Sequence, residues 1–362
     1  MSWSDPRALR ENNLDFIRFA LAALVIFAHS FALLAGSDDV EPLMRLTGGQ
    51  LTFGALAVDG FFILSGFLVT QSWLRGDGAL SFFRKRVLRI YPGFVAAVLV
   101  GTLVVVPIAS SSLAVGFASI DPLQLLWGCV SLRGYYWHPG SFQGNPVPGV
   151  VNGSLWSVSY EFWCYVGVAL LGTFQVLRRP RLLLGLFVLA LVGGVAYLVA
   201  GLALKGKFLA AVFGEADLWA RLLPCYLAGC VFCVFRERLP YSAGLSALAA
   251  ISLIAAAFVP HAVNALTPLA GAWLLFWVGF HPRLPLQHWG RHGDFSYGLY
   301  LYAFPVQQLL IRQLGTKIGP LLLFVLSLLA TTACAYASWH LVELPFLRLK
   351  RAARSPLKPA GP

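Results

Sequence analysis

Charge is scarce in this chain: only 12% of its 362 residues are charged and just 15 are acidic, where a soluble domain carries roughly 25% charge. No stretch between the apolar segments is long or polar enough to fold by itself, so the two globular domains that the length would allow are excluded. There is no internal repeat and no low-complexity segment. Cysteine is sparse as well, at six. Cys230 and Cys233 form a C-x-x-C, but no second pair or βαβ pattern accompanies them, so the cysteines are expected to be buried and reduced. The histidines around His281, His288 and His292 lack acidic or cysteine partners, and no metal site is expected. The first apolar run contains Arg18 and His29 and lacks a small-x-small cleavage site, so no cleaved signal peptide is expected.

What is abundant is apolar: 58% of residues are hydrophobic and the mean hydropathy is +0.74. Windows of about 20 apolar residues bounded by charge, Pro or Gly fall near 15–35, 52–74, 90–110, 155–176, 182–203, 218–235, 241–259, 265–280, 294–311 and 319–342. The expected fold is therefore all-α, a polytopic membrane protein of about ten transmembrane helices. Residues 1–345 form the membrane module and 346–362 a basic tail. The apolar segment at 123–130 is too short to span and reads as interfacial. Nineteen of the 27 lysines and arginines fall on the side that ten spans give to both termini, six fall on the other, and Arg18 and Arg221 lie within spans. The positive-inside rule makes the first side cytoplasmic. The net charge of +12 is thus explained by short membrane loops, and nucleic acid is not an expected partner.

Arg18 and His29 are out of place in an apolar helix, because an ionisable group at the bilayer centre costs roughly 2.5–3.5 kcal/mol on insertion scales and normally has a function. Eleven residues at about 100° each bring both side chains to one face, about 16 Å apart along the axis. The small residues Ala22 and Val25 lie between them. Counting inward from the outer span ends puts His29, Asp59, Glu161 and Arg221 at one level. A histidine beside carboxylates can act as a general base; the same groups could instead hold helices together or form the proton relay of a transporter.

On the other side, F-F-R-K-R-V-L-R-I-Y-P packs Arg84, Lys85, Arg86 and Arg89 into six positions, with Arg86 and Arg89 at helical spacing. Guanidinium forks match phosphate oxygens, so these four are candidate residues for binding the phosphates of a cofactor; ordinary flanking charge is the alternative. Arg18 extends that basic surface into the bundle. Trp156 and Tyr160, beside Glu161, join Arg221 as candidate substrate-binding residues. The long connection at about 111–154, with R-G-Y-Y-W-H-P-G, reads either as an interfacial aromatic belt or as a functional loop whose rings suit sugar faces.

The chain resembles the acyltransferase-3 family of integral membrane acyltransferases, which modify mainly bacterial surface and secreted glycans. The resemblance rests on R-F-A-L-A-A-L-V-I-F-A-H, V-D-G-F-F-I-L-S-G-F-L, R-K-R-V-L-R-I-Y-P, N-G-S-L-W-S-V-S-Y-E-F-W-C-Y, D-F-S-Y-G-L-Y-L and V-E-L-P-F-L-R, in that order. It implies transfer of an acyl group, most often acetyl, from cytoplasmic acetyl-CoA (acyl-CoA) to a glycan hydroxyl at the outer face of the bacterial inner membrane, with no permanently bound cofactor. It maps the family's essential arginine–histidine pair to Arg18 and His29, its basic R-x-x-R to Arg86 and Arg89, and its glutamate to Glu161; Asp59 belongs to the second motif. His29 is then general base or transient acyl carrier. Expected partners are the bilayer, acyl-CoA, the glycan acceptor and polysaccharide assembly proteins. Two departures are visible. Ala303 stands where many relatives have a histidine, and only about twenty residues follow the last span, so the final transfer falls to the membrane module or to a separate partner. Alternatives are a proton-coupled transporter or flippase, an acyltransferase acting on a small molecule, and transfer of succinyl.

Overall fold

A computed structural model describes residues 11–76, 78–202, 210 and 212–352. Arg7, Arg10, Lys205, Lys207, Arg354 and Lys358, which entered the charge count, lie outside the described residues. Among the described residues ten principal helices follow one another: α1 Leu14–Ala35, α2 Phe53–Leu74, α3 Gly78–Ala109, α4 Trp156–Thr173, α5 Pro180–Val199, α6 Ala216–Phe235, α7 Ala243–Ala256, α8 Ala262–Gly279, α9 Ser296–Leu314 and α10 Pro320–Ser338. No strand occurs among the described residues, only an isolated bridge between Trp137 and Val150. The chain is an all-α polytopic membrane protein. Among the described residues seven helices, α1, α2, α3, α5, α6, α8 and α10, are long and apolar enough to cross a membrane. The others fall short for visible reasons: α7 has only 14 residues, while α4 carries Glu161 and α9 carries Gln307 and Gln308.

All ten expected segments are helical, with two changes of extent. Helix α3 begins at Gly78, so the basic run is part of the helix and not a flank to it. Helix α10 passes through a π-helical turn at Trp339–Glu343 into Leu344–Ala352, so the segment read as a tail begins as helix. The 123–130 segment is a nine-residue helix, Pro122–Val130, too short to span. Cues at the helix ends are local. Thr52 Oγ1 accepts from Ala55 N at 2.9 Å to start α2, and Gly36, with φ +77°, closes α1 by donating to Ala32 O. Such a left-handed terminus suits glycine because it has no Cβ.

Apolar side chains gain little by leaving lipid, so helices in a membrane associate through close packing at small residues. The α2–α6 contact shows this directly. A Cβ on Gly66 would lie 2.0 Å from Tyr226 O, and one on Gly229 would lie 2.0 Å from Ile63 O. The backbones therefore touch, and this contact fixes one wall of the central cavity described below. Gly229→Val should destabilise the protein by about 1–3 kcal/mol, the usual range for overpacking, and lower its thermal midpoint in detergent. Gly167→Ala, where a Cβ meets nothing within 4 Å, should leave the midpoint unchanged.

Candidate active site

A cavity of about 400 Å³ opens between α2, α3, α4 and α9. Its α2 wall presents Val58, Phe61, Phe62, Ser65, Leu68, Ser72 and Arg75, the spacing of one helical face. From Val58 to Arg75 this face is about 25 Å long at 1.5 Å per residue. Arg86 and Arg89 enter from α3, Glu161 and Tyr165 from α4, Tyr297 and Tyr300 from α9, and Arg18 from α1. The expected shared face of Arg86 and Arg89 is realised.

Guanidinium groups within a bundle need anionic or aromatic partners, because their desolvation is costly. Asp294, in the connection before α9, takes both Arg18 and Arg89 on the same oxygen, Oδ2, and its other oxygen accepts from Ser296. Burial works to raise the Asp294 pKa, but Arg18 and Arg89 outweigh it and hold the carboxyl at about 2. Arg89 also bonds Glu343 Oε2 at 3.2 Å and lies over the rings of Tyr297 and Trp339, 5.5 and 5.8 Å from their centroids. Glu343 ends the π-helical turn of α10, and such turns shift the side-chain phase of a helix. Asp294 and Glu343 were quoted in the sequence motifs but given no role. An Asp two residues before a helix reads as a cap, and the phase shift at Glu343 has no sequence signature.

Arg86 is held less completely. Its Nη2 donates to Ser72 Oγ at 3.3 Å and its guanidinium lies 5.7 Å from the Tyr165 ring centroid, while its Nε is buried with no partner. Arg75, not anticipated from the sequence, joins it at the same mouth, with Nη2 donating to Gln71. Arg84 and Lys85, expected beside them, do not line the cavity. Arg84 turns outward to Leu349 O at 3.2 Å, and Lys85 is buried elsewhere.

The single level expected for His29, Asp59, Glu161 and Arg221 resolves into three separate settings. Asp59 and Arg221 do meet, Nε to Oδ1 at 2.9 Å. Glu161 instead accepts from Ser65 Oγ and Tyr165 OH, both at 2.7 Å to Oε1, inside the cavity. His29 bonds neither carboxylate. Its ring stands edge-on to Phe304 with centroids 5.3 Å apart, and its buried Nδ1 has no partner. The small stripe between Arg18 and His29 is packed shut. Ala22 lies among Ile26, Leu299, Ala303 and Ala335, and Val25 is likewise buried, so the open route follows α2 and not α1. Ala303 is filled in by the same cluster. Trp156 and Tyr160 stay outside the cavity lining, edge to face with each other, and the Tyr160 hydroxyl accepts from Glu215 N at 2.6 Å. All six cysteines are free.

Comparison with known proteins fits this architecture. The acyltransferase domain that defines the acyltransferase-3 family matches residues 11–340. The chain belongs to that family. Similar proteins include an O-acetyl transferase of Shigella phage Sf6, 26% identical over 356 residues (93% of this chain and 96% of that protein). Nodulation protein 10 of Rhizobium leguminosarum bv. viciae is 27% identical over 365 residues (94% of each chain). The acyltransferase MdmB of Streptomyces mycarofaciens is 29% identical over 166 residues, 44% of this chain and 39% of that one. No solved structure matches.

Asp294 sits where two cations of this acyltransferase converge, so Asp294→Asn should cost on the order of 3 kcal/mol, as when one member of a buried ion pair is removed. The sign with pH follows from the lowered carboxyl pKa. The Asp294 contribution is fully present above its ordinary 3.8 and is lost as the pH falls through about 2. Unfolding midpoints in detergent, measured against pH, should show Asp294→Asn below the parent at neutral pH and the two curves converging towards pH 2.

Proposed function

We propose that this protein transfers an acetyl group from cytoplasmic acetyl-CoA to a hydroxyl of an exported or lipid-linked bacterial polysaccharide, acting as a multi-pass protein of the inner membrane. Acyl transfer follows from the family, and the similarity to a phage O-acetyl transferase along nearly the whole chain supports an oxygen acceptor. The observation that carries the donor assignment is the cavity itself, with Arg75 and Arg86 at one mouth and an α2 face about 25 Å long leading away from them. Phosphates of a coenzyme A donor suit Arg75 and the incompletely bonded Arg86, and an extended pantetheine arm suits a slot of that length. Arg89, already engaged by Asp294 and Glu343, acts by holding the wall. Glu161, with Ser65 and Tyr165, faces the arm part-way along.

The chemistry balances without any other reactant. The acceptor hydroxyl attacks the thioester carbonyl carbon, a new C–O bond forms, the C–S bond breaks, and the sulfur leaves as coenzyme A thiol. His29 fits the role of base, since its unpartnered Nδ1 can take the hydroxyl proton and return it to the sulfur. It lies outside the cavity lining, and in this reading it serves the acceptor side of the transfer. The proton-relay reading gains nothing from the geometry, because His29, Asp59 and Glu161 make no hydrogen bonds to one another.

The test uses membranes containing the protein, acetyl-CoA labelled in the acetyl group, and de-esterified envelope polysaccharide of the parent strain. Arg86→Ala should raise the KM for acetyl-CoA about tenfold, which is about 1.4 kcal/mol. His29→Ala should abolish ester formation while the donor still binds. Undiminished product would remove His29 from the mechanism, and unchanged donor KM would remove Arg86 from the donor site.

A further inference from the structure

The connection between α3 and α4 is a built structure. Two short helices, Leu113–Ala118 and Pro122–Val130, face the segment 135–140 across an open groove of about 410 Å³. One wall is the indole of Trp137, half-exposed at 51%. It is fixed from behind by the backbone of Gly149, which has φ +76° and where a Cβ would lie 2.4 Å from Trp137 Nε1. His138 N donates to Gly149 O at 2.7 Å, and Trp137 pairs with Val150 as a bridge. The His138 ring is held by both nitrogens, at 2.9 Å from Ser141 Oγ and 2.8 Å from Ser119 Oγ. Opposite lie Asp121 and Gln124. Asp121 caps its helix through Oδ1 alone, accepting from Leu123 N and Gln124 N at 2.8 and 3.2 Å. Its other oxygen remains available to the groove.

Two further features place the groove. On Pro122–Val130, the side chains of Leu123, Leu126, Trp127 and Val130 form an exposed apolar stripe at helical spacing, while Asp121 and Gln124 line the groove. Val130 O, at the far end of this helix, accepts from Tyr91 OH at 3.0 Å, so the helix runs back along α3 with its apolar stripe exposed, and the groove lies at its Asp121 end. The groove's other helix, Leu113–Ala118, packs beside the Ala109 end of α3, where a Cβ on Gly116 would lie 2.4 Å from Pro107 Cα and Phe142 N donates to Ala109 O at 3.1 Å, far along α3 from Arg86 and Arg89. From Trp137 the chain continues to 145–153, which packs along the middle of α9, from Leu301 to Gln308. Asn152 Nδ2 donates to Leu301 O at 2.8 Å, and Gly153 approaches Phe304 so closely that a Cβ would lie 2.6 Å from its ring. Phe304 is the ring that His29 touches.

We propose that this groove docks a saccharide unit of the acceptor, stacked on Trp137 and hydrogen-bonded by Asp121 and Gln124. The chemistry is that of sugar recognition. A rigid aromatic face takes the C–H side of a pyranose, and a carboxylate and an amide supply acceptors and a donor for its hydroxyls. A groove of this size falls within the range of small-ligand sites. The proposal rests on the glycan-acceptor reading above.

The experiment measures initial rates of label transfer to the de-esterified polysaccharide, first against acceptor at saturating acetyl-CoA and then against acetyl-CoA at high acceptor. Trp137→Ala should raise the half-saturating acceptor concentration at least tenfold and Asp121→Asn about fivefold. The KM for acetyl-CoA, which reports the opposite end of the molecule, should stay within twofold in both. Trp137→Phe, which keeps a stacking face, should recover most of the loss, and Asp121→Asn keeps the helix cap. An unchanged acceptor half-saturation in both variants overturns the groove and leaves Trp137 as an interfacial anchor. A rise in the KM for acetyl-CoA or a fall in maximal rate alone, without that shift, also overturns it and marks a folding role. A folded parent protein that transfers nothing to the polysaccharide refutes the acceptor reading itself, and the groove assignment falls with it.

Discussion

Two arginines sharing one carboxylate oxygen organise this molecule. Arg18 on α1 and Arg89 on α3 converge on Asp294 before α9, and Arg89 continues to Glu343 on α10. In water such pairs contribute little, but in a bundle surrounded by lipid the alternative is an unpaired charge that costs several kcal/mol. The pairing therefore fixes the relative positions of four helices that share little sequence proximity. It also leaves the cluster nearly saturated. A cation bonded to two carboxylates and two aromatic faces has little capacity left for a ligand, whereas Arg86, one turn away, has a buried Nε without a partner. One basic run thus divides into a residue that builds the wall and a residue able to bind.

The other wall is set by packing and not by charge. Helix α2 turns Gly66 towards α6, where the backbones touch, and turns Ser65, Ser72 and Arg75 towards the cavity. Ionic contacts on the α1, α3, α9 and α10 side and glycine contacts on the α2 and α6 side are independent constraints. The slot is the space where the two meet. Because α2 belongs to both the glycine contact and the slot, a side chain added at the α2–α6 contact alters the cavity as well as the stability.

Much of this was legible in the sequence because it is local. Apolar windows marked all ten helices, and the three-residue spacing of Arg86 and Arg89 put both on the face that lines the cavity. Depth counting put Asp59 and Arg221 at one level, and these two of the four do meet, since both lie near the starts of neighbouring helices. It failed for Glu161, whose helix starts at a different height, so that the carboxylate faces Ser65 and Tyr165. The same-face geometry of Arg18 and His29 was real, but whether that face is open depends on what α9 and α10 bring to it. They bring Leu299, Ala303 and Ala335, and the stripe is closed. Asp294 and Glu343 were invisible as partners because long-range charge pairing and a π-helical phase shift leave no periodic trace.

Buried polar atoms without partners cost about 1–3 kcal/mol each, so their distribution is informative. Among the described residues most are hydroxyl, amide or indole groups, such as Thr70, Gln50 and Trp277; the nitrogens of basic side chains among them are His29 Nδ1 and Arg86 Nε. One lies beside Phe304, outside the cavity lining, and the other at the cavity mouth with Ser72 and Arg75. A sequence selected only for stability would satisfy both, and the carboxylates to do so are present elsewhere in the bundle, committed to Arg18, Arg89 and Arg221. The fold spends its scarce acidic residues on the cations that hold helices together. It leaves unsatisfied two nitrogens, His29 Nδ1 and Arg86 Nε, the two to which our proposal gives the acceptor hydroxyl and the donor phosphate.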